Sequence, residues 1–145
     1  MNRIRLDGAF DGKMRVSMIV SEQLDQLGVQ FPDCDIAAFA DLSTGMVLSA
    51  RVVGKVSQER LDDLCLSAMD VLDGQTANNV TRTMWPKSSD RIRCAVRFQT
   101  DQVELFLRSA QMPEDALCLV CATKVDLPAL ISVAEDTLSR IEMGH

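Results

Sequence analysis

The sequence has almost no histidine and few aromatic residues. Its one histidine is His145, the last of 145 residues, so acid–base pairs and nucleophile–histidine arrangements are not expected. Aromatic residues make up 4% of the chain, without a tyrosine, which argues against aromatic cages and base-stacking platforms. Neither a G-x-G-x-x-G pattern nor a P-loop is present. These absences predict a protein with no catalytic residue, no metal site and no cofactor.

Acidic residues outnumber basic residues in the sequence. Fifteen lysines and arginines stand against 21 acidic residues, for a net charge of −6. Because phosphate contacts require Lys and Arg, this balance argues against a nucleic-acid partner and against an anionic membrane surface. No apolar run approaches the roughly 18 residues of a membrane span, and the first residues lack the pattern of a signal peptide. We therefore expect a cytoplasmic protein with no nucleic-acid or membrane partner.

The five cysteines are an odd number in apolar surroundings, which predicts reduced thiols and a cytoplasmic location. Cys118 and Cys121 have C-x-x-C spacing, and a redox or metal protein built on them is one alternative. However, the pair falls within a predicted strand, where positions three apart point to opposite faces. We interpret both as buried small hydrophobic residues.

What the sequence does contain is an alternation of amphipathic helices and short apolar strands in a single domain, residues 14–143, after an N-terminal arm, residues 1–13. Gly28 is expected to cap the first helix, and Gly45 is expected to take the positive φ of a hairpin turn. Residues 74–91 are polar and predict a long loop. The predicted helices are Met14–Leu27, Ser57–Leu72 and one beginning near Asp126; the strands are Cys34–Leu42, Met46–Val53, Ile92–Gln99, Val103–Ala110 and Ala116–Lys124.

Two strand patterns carry further detail. The first hairpin is apolar for most of its length, which predicts strands covered on both faces. The strand after the polar loop alternates apolar and basic residues, and a turn at Thr100-Asp101 would place Arg97 opposite Glu104. The last strand is nearly all apolar and should be central.

This order of elements resembles the roadblock (dynein light chain) family, with the strongest similarity in two blocks. These are AAFADLSTGMVLSARVVGKVSQERLDDLCLSAMDVLDG, residues 37–74, and LCLVCATKVDLPALISVAEDTLSRI, residues 117–141. The resemblance implies an α+β fold of roadblock or profilin-like type: a five-stranded antiparallel sheet with helices on both faces, in the order α-β-β-α-β-β-β-α. It also implies a homodimer built on the middle helix and the following strand. Family members act as adaptors, and several bind or regulate Ras-like GTPases.

The candidate contact residues follow from the middle helix and the strand after it. Leu66 lies outside the apolar stripe of that helix and Met69 at its edge, so we predict that both contact a symmetry mate. The alternative is a wide, well-covered helix or a solitary surface leucine. Basic residues near the third strand could dock an acidic partner or protect an edge strand. The dimer candidates are Leu66, Met69, Arg93 and Arg97; the partner-binding candidates are Arg82, Trp85, Lys87 and Arg91.

The sequence thus predicts a non-catalytic homodimeric adaptor or regulator that presents a protein-binding surface to a small Ras-like GTPase or its complex. The alternative is a small-ligand sensory domain of PAS- or GAF-like layout. That alternative predicts a cavity between sheet and helix, lined by residues such as Met46, Leu48 and Phe106.

Overall fold

The computed structural model describes residues 8–84 and 91–144. Its elements follow the predicted order, with one additional helix after the middle one. They are α1 (Gly8–Gln30), β1 (Cys34–Asp41), β2 (Met46–Val52), α2 (Gln58–Asp73), α3 (Gln75–Met84), β3 (Cys94–Phe98), β4 (Val103–Arg108), β5 (Asp115–Cys121) and α4 (Leu127–Met143).

The five strands form one antiparallel sheet in the order β2-β1-β5-β4-β3. The predicted central position of β5 is confirmed, and β2 and β3 are the two edges. One core lies between the sheet and α1 with α4, and a second lies between the sheet and α2. The predicted α+β fold with helices on both faces is therefore confirmed.

The helix α1 differs from its predicted bounds at both ends. It begins at Gly8, within the stretch predicted as an arm, and continues to Gln30, so Gly28 is not its cap. The glycine has another use, because a Cβ built there would lie 2.0 Å from the Arg51 guanidinium. Gly28 thus gives room for Arg51 to lie against α1, where its Nε is 3.8 Å from Asp25.

The hairpin turn behaves as predicted, but its second strand does not. Gly45 has φ +74°, the value the turn requires. The carboxylate of Asp41 accepts hydrogen bonds from the Ser43 amide at 2.9 Å and hydroxyl at 2.6 Å, and these bonds lower the pKa of Asp41. Strand β1 is buried almost throughout, whereas every second residue of β2 is exposed. The expectation of cover on both faces is therefore wrong for β2, which lies at the edge of the sheet.

The ends of α2 lie close to the predicted bounds, Ser57–Leu72, and both are capped. The Ser57 hydroxyl accepts a hydrogen bond from the Arg60 amide at 3.1 Å, and the Gly74 amide donates to the Asp70 carbonyl at 2.9 Å. The following segment was expected to be a loop, and this is wrong for residues 75–84, which form α3. Asn and Thr are weak helix formers. The contact of α3 with α2 and the burial of Ala77 stabilise this helix despite its weak local propensity.

The cysteines correct one expectation and confirm another. Cys34 and Cys121 face each other across β1 and β5 and form a disulfide, so the expectation that all thiols are reduced is wrong. Cys121 packs in the core beside α1 and α4, whereas Cys118 packs in the core beside α2. The C-x-x-C pair therefore points to opposite faces, as predicted. Burial raises the pKa of the Cys118 thiol, which makes it a poor nucleophile.

Candidate interaction surface on α2 and β3

The two apolar dimer candidates on α2 differ in exposure. Leu66 is 56% exposed, and it stands away from the buried stripe formed by Leu64, Cys65, Ala68 and Leu72. Met69 is half-buried against the core, and its sulfur lies 3.5 Å from the point that a Cβ on Gly45 would occupy. Met69 therefore supports the first hairpin turn, while Leu66 projects an uncovered apolar side chain.

The predicted pairing of Arg97 with Glu104 is confirmed. The two residues are register partners between β3 and β4, and the Arg97 Nε donates to the Glu104 carboxylate at 2.6 Å. The Arg97 guanidinium also donates to the Ser67 hydroxyl on α2 at 3.0 Å and lies 5.9 Å from the centre of the Phe106 ring. The side chain of Arg97 thus connects β3, β4 and α2 within one chain.

The sequence pattern did not indicate how deeply Glu104 is buried. It is 1% exposed, and its carboxylate also lies 3.5 Å from the Arg60 guanidinium on α2. Gln102 donates to the same carboxylate at 3.4 Å. A buried carboxylate needs such partners, because desolvation would otherwise favour its neutral form. The signal available in the sequence was an acidic residue flanked by apolar residues in the strand VELFLR.

A second buried charge, Arg108, ends the same strand and was also missed. It is 2% exposed, and its guanidinium has five N–H donors that meet five acceptors. The Nε donates to the Ile92 carbonyl at 2.9 Å; Nη1 donates to the Pro113 carbonyl at 2.9 Å and to Asp73 at 3.4 Å; Nη2 donates to the Leu72 carbonyl at 3.1 Å and to Asp73 at 2.6 Å. Arg108 therefore joins the end of α2 to the segment before β3 and to the β4–β5 connection.

The remaining basic candidates lie at the surface. Arg91 bonds Asp73 at 3.2 Å and Glu114 at 3.1 Å, and its pKa is raised chiefly by the hydrogen bond to Glu114. Arg93 is exposed. Arg82 is exposed on α3 and donates to Asn79 at 3.3 Å. Trp85 and Lys87 lie outside the described residues, so their predicted roles remain predictions.

The edge strand β3 leaves further apolar surface uncovered. Phe98 is 71% exposed, and Cys94 is an exposed free thiol. An edge strand also presents backbone N–H and C=O groups that have no partner in its own sheet. This edge and the exposed part of α2 lie on elements that Arg97 connects.

The cavity expected for a sensory domain does not form at the predicted residues. Phe106 is fully buried in the core beside α2, and Met46 and Leu48 are exposed on the β2 edge. An open pocket of about 590 Å³ occurs instead beside the start of α2. It is lined by Asp35, Ile36, Val53, Lys55, Val56, Ser57, Arg60, Gln102 and Val120.

Residues 8–84 and 91–144 contain neither a metal-binding cluster nor a membrane-spanning helix. No group of three or more His, Cys, Asp or Glu residues in this part of the chain is arranged to hold a metal ion. No helix among the same residues has the length and apolar character needed to cross a membrane.

Solved structures of Roadblock/LC7 domains match the chain over most of its length. The Roadblock/LC7 domain from Streptomyces avermitilis is 11% identical, with 85% of this chain and 94% of that chain covered and a TM-score of 0.69. The gliding protein mglB from Thermus thermophilus is 15% identical, with coverages of 89% and 90% and a TM-score of 0.67. An MglB with a tetrameric arrangement is 14% identical, with coverages of 90% and 93% and a TM-score of 0.70.

No protein-family model and no curated protein matches the sequence. The chain nevertheless has the roadblock fold, as its resemblance predicted, because these three matches cover 85%, 89% and 90% of it at TM-scores of 0.69, 0.67 and 0.70.

Proposed function

We propose that this chain, with its roadblock fold, is a non-catalytic homodimeric adaptor or regulator. It presents a protein-binding surface to a small Ras-like GTPase or to a complex that such a GTPase governs. The observation that carries the proposal is the fold together with Leu66, which is 56% exposed on α2, the helix on which the resemblance places the dimer. An uncovered leucine on that helix is the feature a second copy would bury.

The proposed dimer contact combines α2 with the β3 edge. Leu66 and Met69 would supply apolar contact on α2, and Arg93 and Arg97 would lie beside them on or next to β3. Phe98, 71% exposed on the same strand, adds apolar area that a second copy could cover. The MglB neighbour with a tetrameric arrangement supports self-association for a chain of this fold.

The surface that we propose for binding the partner is basic. Arg82 and Arg91, with Trp85 and Lys87 between them in the sequence, would meet an acidic surface of the partner. Arg82 contacts an uncharged side chain, whereas Arg91 already bonds two carboxylates, so Arg82 is the stronger docking candidate. Any effect on GTP hydrolysis would come from holding the GTPase's own catalytic groups in place.

The class of partner that we propose follows from the net charge of the chain. A chain with a net charge of −6 is repelled by nucleic acid and by anionic lipid, so its partners are proteins. We place it in the cytoplasm because Ras-like GTPases meet their regulators there; the Cys34–Cys121 disulfide removes the separate argument from reduced thiols. We assign it no cofactor.

The proposal is tested by capture from a lysate of the source organism, with GTP analogue or GDP added and the retained proteins identified by mass spectrometry. Wild-type protein should retain a Ras-like GTPase in one nucleotide state. Arg82→Glu should retain much less, while Arg140→Glu, a matched change on the exposed end of α4, should behave as wild type. Retention of no GTPase in either nucleotide state would contradict the proposal.

The sensory-domain alternative keeps one supporting observation, the open pocket beside α2. A ligand that binds there would raise the melting temperature, because binding to the folded state stabilises it by mass action. A thermal-shift screen with wild type and Lys55→Glu separates binding in this pocket from binding elsewhere, since Lys55 lines it.

A further inference from the structure

We infer that Glu104 and Arg108 are positioning residues that hold α2 and the edge strand β3 together as one face. The inference rests on the proposed function, because this is the face on which the proposed dimer forms. Both residues lie on β4, between the two elements they connect. Neither is itself exposed, at 1% and 2%, so neither can contact a partner directly.

Glu104 forms the first connection. Its carboxylate accepts from Arg97 of β3 at 2.6 Å and lies 3.5 Å from Arg60 in the first turn of α2. Arg97 then reaches the Ser67 hydroxyl in the middle of α2 at 3.0 Å. The charged groups thus form a continuous path from the edge strand to the helix, with the buried carboxylate at its centre.

Arg108 forms the second connection, at the opposite end of both elements. Its guanidinium bonds Asp73, the last residue of α2, at 2.6 Å and the Leu72 carbonyl at 3.1 Å. It also bonds the Ile92 carbonyl at 2.9 Å, and its backbone amide donates to the Arg93 carbonyl at 2.6 Å. The residues leading into β3 are therefore held directly to the end of α2.

The two connections matter for binding because β3 has a single neighbour in the sheet. It spans five residues and, among the residues that the structure describes, pairs with β4 alone. Its position relative to α2 therefore depends on the Arg97–Ser67 bond and the other direct contacts with that helix, and on contacts made through β4. A partner that binds α2 and β3 together gains affinity when both are already in place, since ordering them on binding would cost free energy. Loss of either connection should therefore weaken self-association beyond its effect on folding.

The test measures the dimer dissociation constant by sedimentation equilibrium and, for each variant, the free energy of unfolding in urea. The variants are Arg108→Met and the milder Glu104→Gln and Arg60→Met. The control is Leu130→Ala, a buried residue of the opposite core beside α1 and α4 that loses stability without touching the connections. We expect the dissociation constant to rise about tenfold or more in the connection variants, within the usual range of coupling between sites, and to stay unchanged in the control.

Three results would overturn the inference, and they differ from one another. Connection variants that dimerise like wild type show that the face forms without these residues, while the proposed dimer stands. If the dissociation constant rises with the loss of unfolding free energy in Leu130→Ala just as it does in the connection variants, then Glu104 and Arg108 have a purely structural role. Wild-type protein that is monomeric at every concentration removes the proposed dimer, and the inference with it. If Arg108→Met does not fold, the two milder variants decide the outcome.

Discussion

Glu104 and Arg108 lie on the same face of β4, four residues apart, and bind opposite ends of α2. Glu104 contacts Arg60 in the first turn of the helix, and Arg108 contacts Asp73 at its end. If α2 ran in the opposite direction, the two arginines would face each other and so would the two carboxylates. Like charges in a buried site are strongly unfavourable. The signs of these four residues therefore favour the observed direction in which α2 crosses the sheet.

Replacing Arg108 should cause a large loss of stability. Arg108→Met leaves three carbonyls without their buried donor and leaves the Asp73 carboxylate with Arg91 alone, and breaking a buried pair in this way costs about 3–5 kcal/mol. The matched control is Arg91→Met, which removes an exposed arginine from the same Asp73 and should cost at most about 1 kcal/mol. Urea unfolding of both variants measures the difference, and equal losses would show that burial of Arg108 is not what matters.

The Cys34–Cys121 disulfide should stabilise the fold although the sheet already joins its two strands. The bond closes a loop with a sequence separation of 87 residues, and loops of this size typically give about 2–4 kcal/mol. Reduction, or the double change Cys34→Ala with Cys121→Ala, should therefore lower the melting temperature. Cys94→Ala is the control, since Cys94 is a free, exposed thiol. Wild-type protein that melts at the same temperature with and without reductant would contradict this prediction.

Stability should depend on pH through Asp41. Hydrogen bonds from Ser43 favour the ionised carboxylate and lower its folded-state pKa below the ordinary value of 3.8. The stabilisation is therefore present above the unfolded pKa, near 4, and is lost as the pH falls through the lower folded value. Ser43→Ala should lose stability at pH 7 but little at a pH below the folded value. If the difference in unfolding free energy between wild type and Ser43→Ala is the same at pH 7 and at acidic pH, Asp41 is not the source of that difference.

A charge on the uncovered leucine of α2 should prevent the proposed dimer. Leu66→Asp places a carboxylate where a second copy would bury apolar surface, and an unpaired buried charge is unfavourable. We expect a folded monomer at micromolar concentration, measured by sedimentation. Ser132→Asp adds the same charge to an exposed site on α4, on the other face of the sheet, and should remain dimeric. A dimeric Leu66→Asp protein would move the contact away from this residue.

Local sequence rules were sufficient for the start of α2, the hairpin turn and the pairing of β3 with β4, but not for the end of α1. Ser57, Gly45 and the pair Arg97–Glu104 all lie where spacing and turn chemistry predicted them, because each depends on residues close in sequence. The helix α3 was missed, since its weak propensity is overcome by packing against α2. Cys34 and Cys121 were not recognised as a pair, because their proximity depends on two strands far apart in the chain.

The sequence by itself determined the number, order and type of the main elements and the alternation that gives the sheet two covered faces. Periodicity encodes which side of an element is apolar, and that is enough to specify layers. Only the tertiary structure decided that β4 carries two buried charges and that Glu104 also faces Arg60. The partners of a buried charge are chosen by the packing of distant elements, and Arg60 and Asp73 lie 44 and 35 residues from the charges they neutralise.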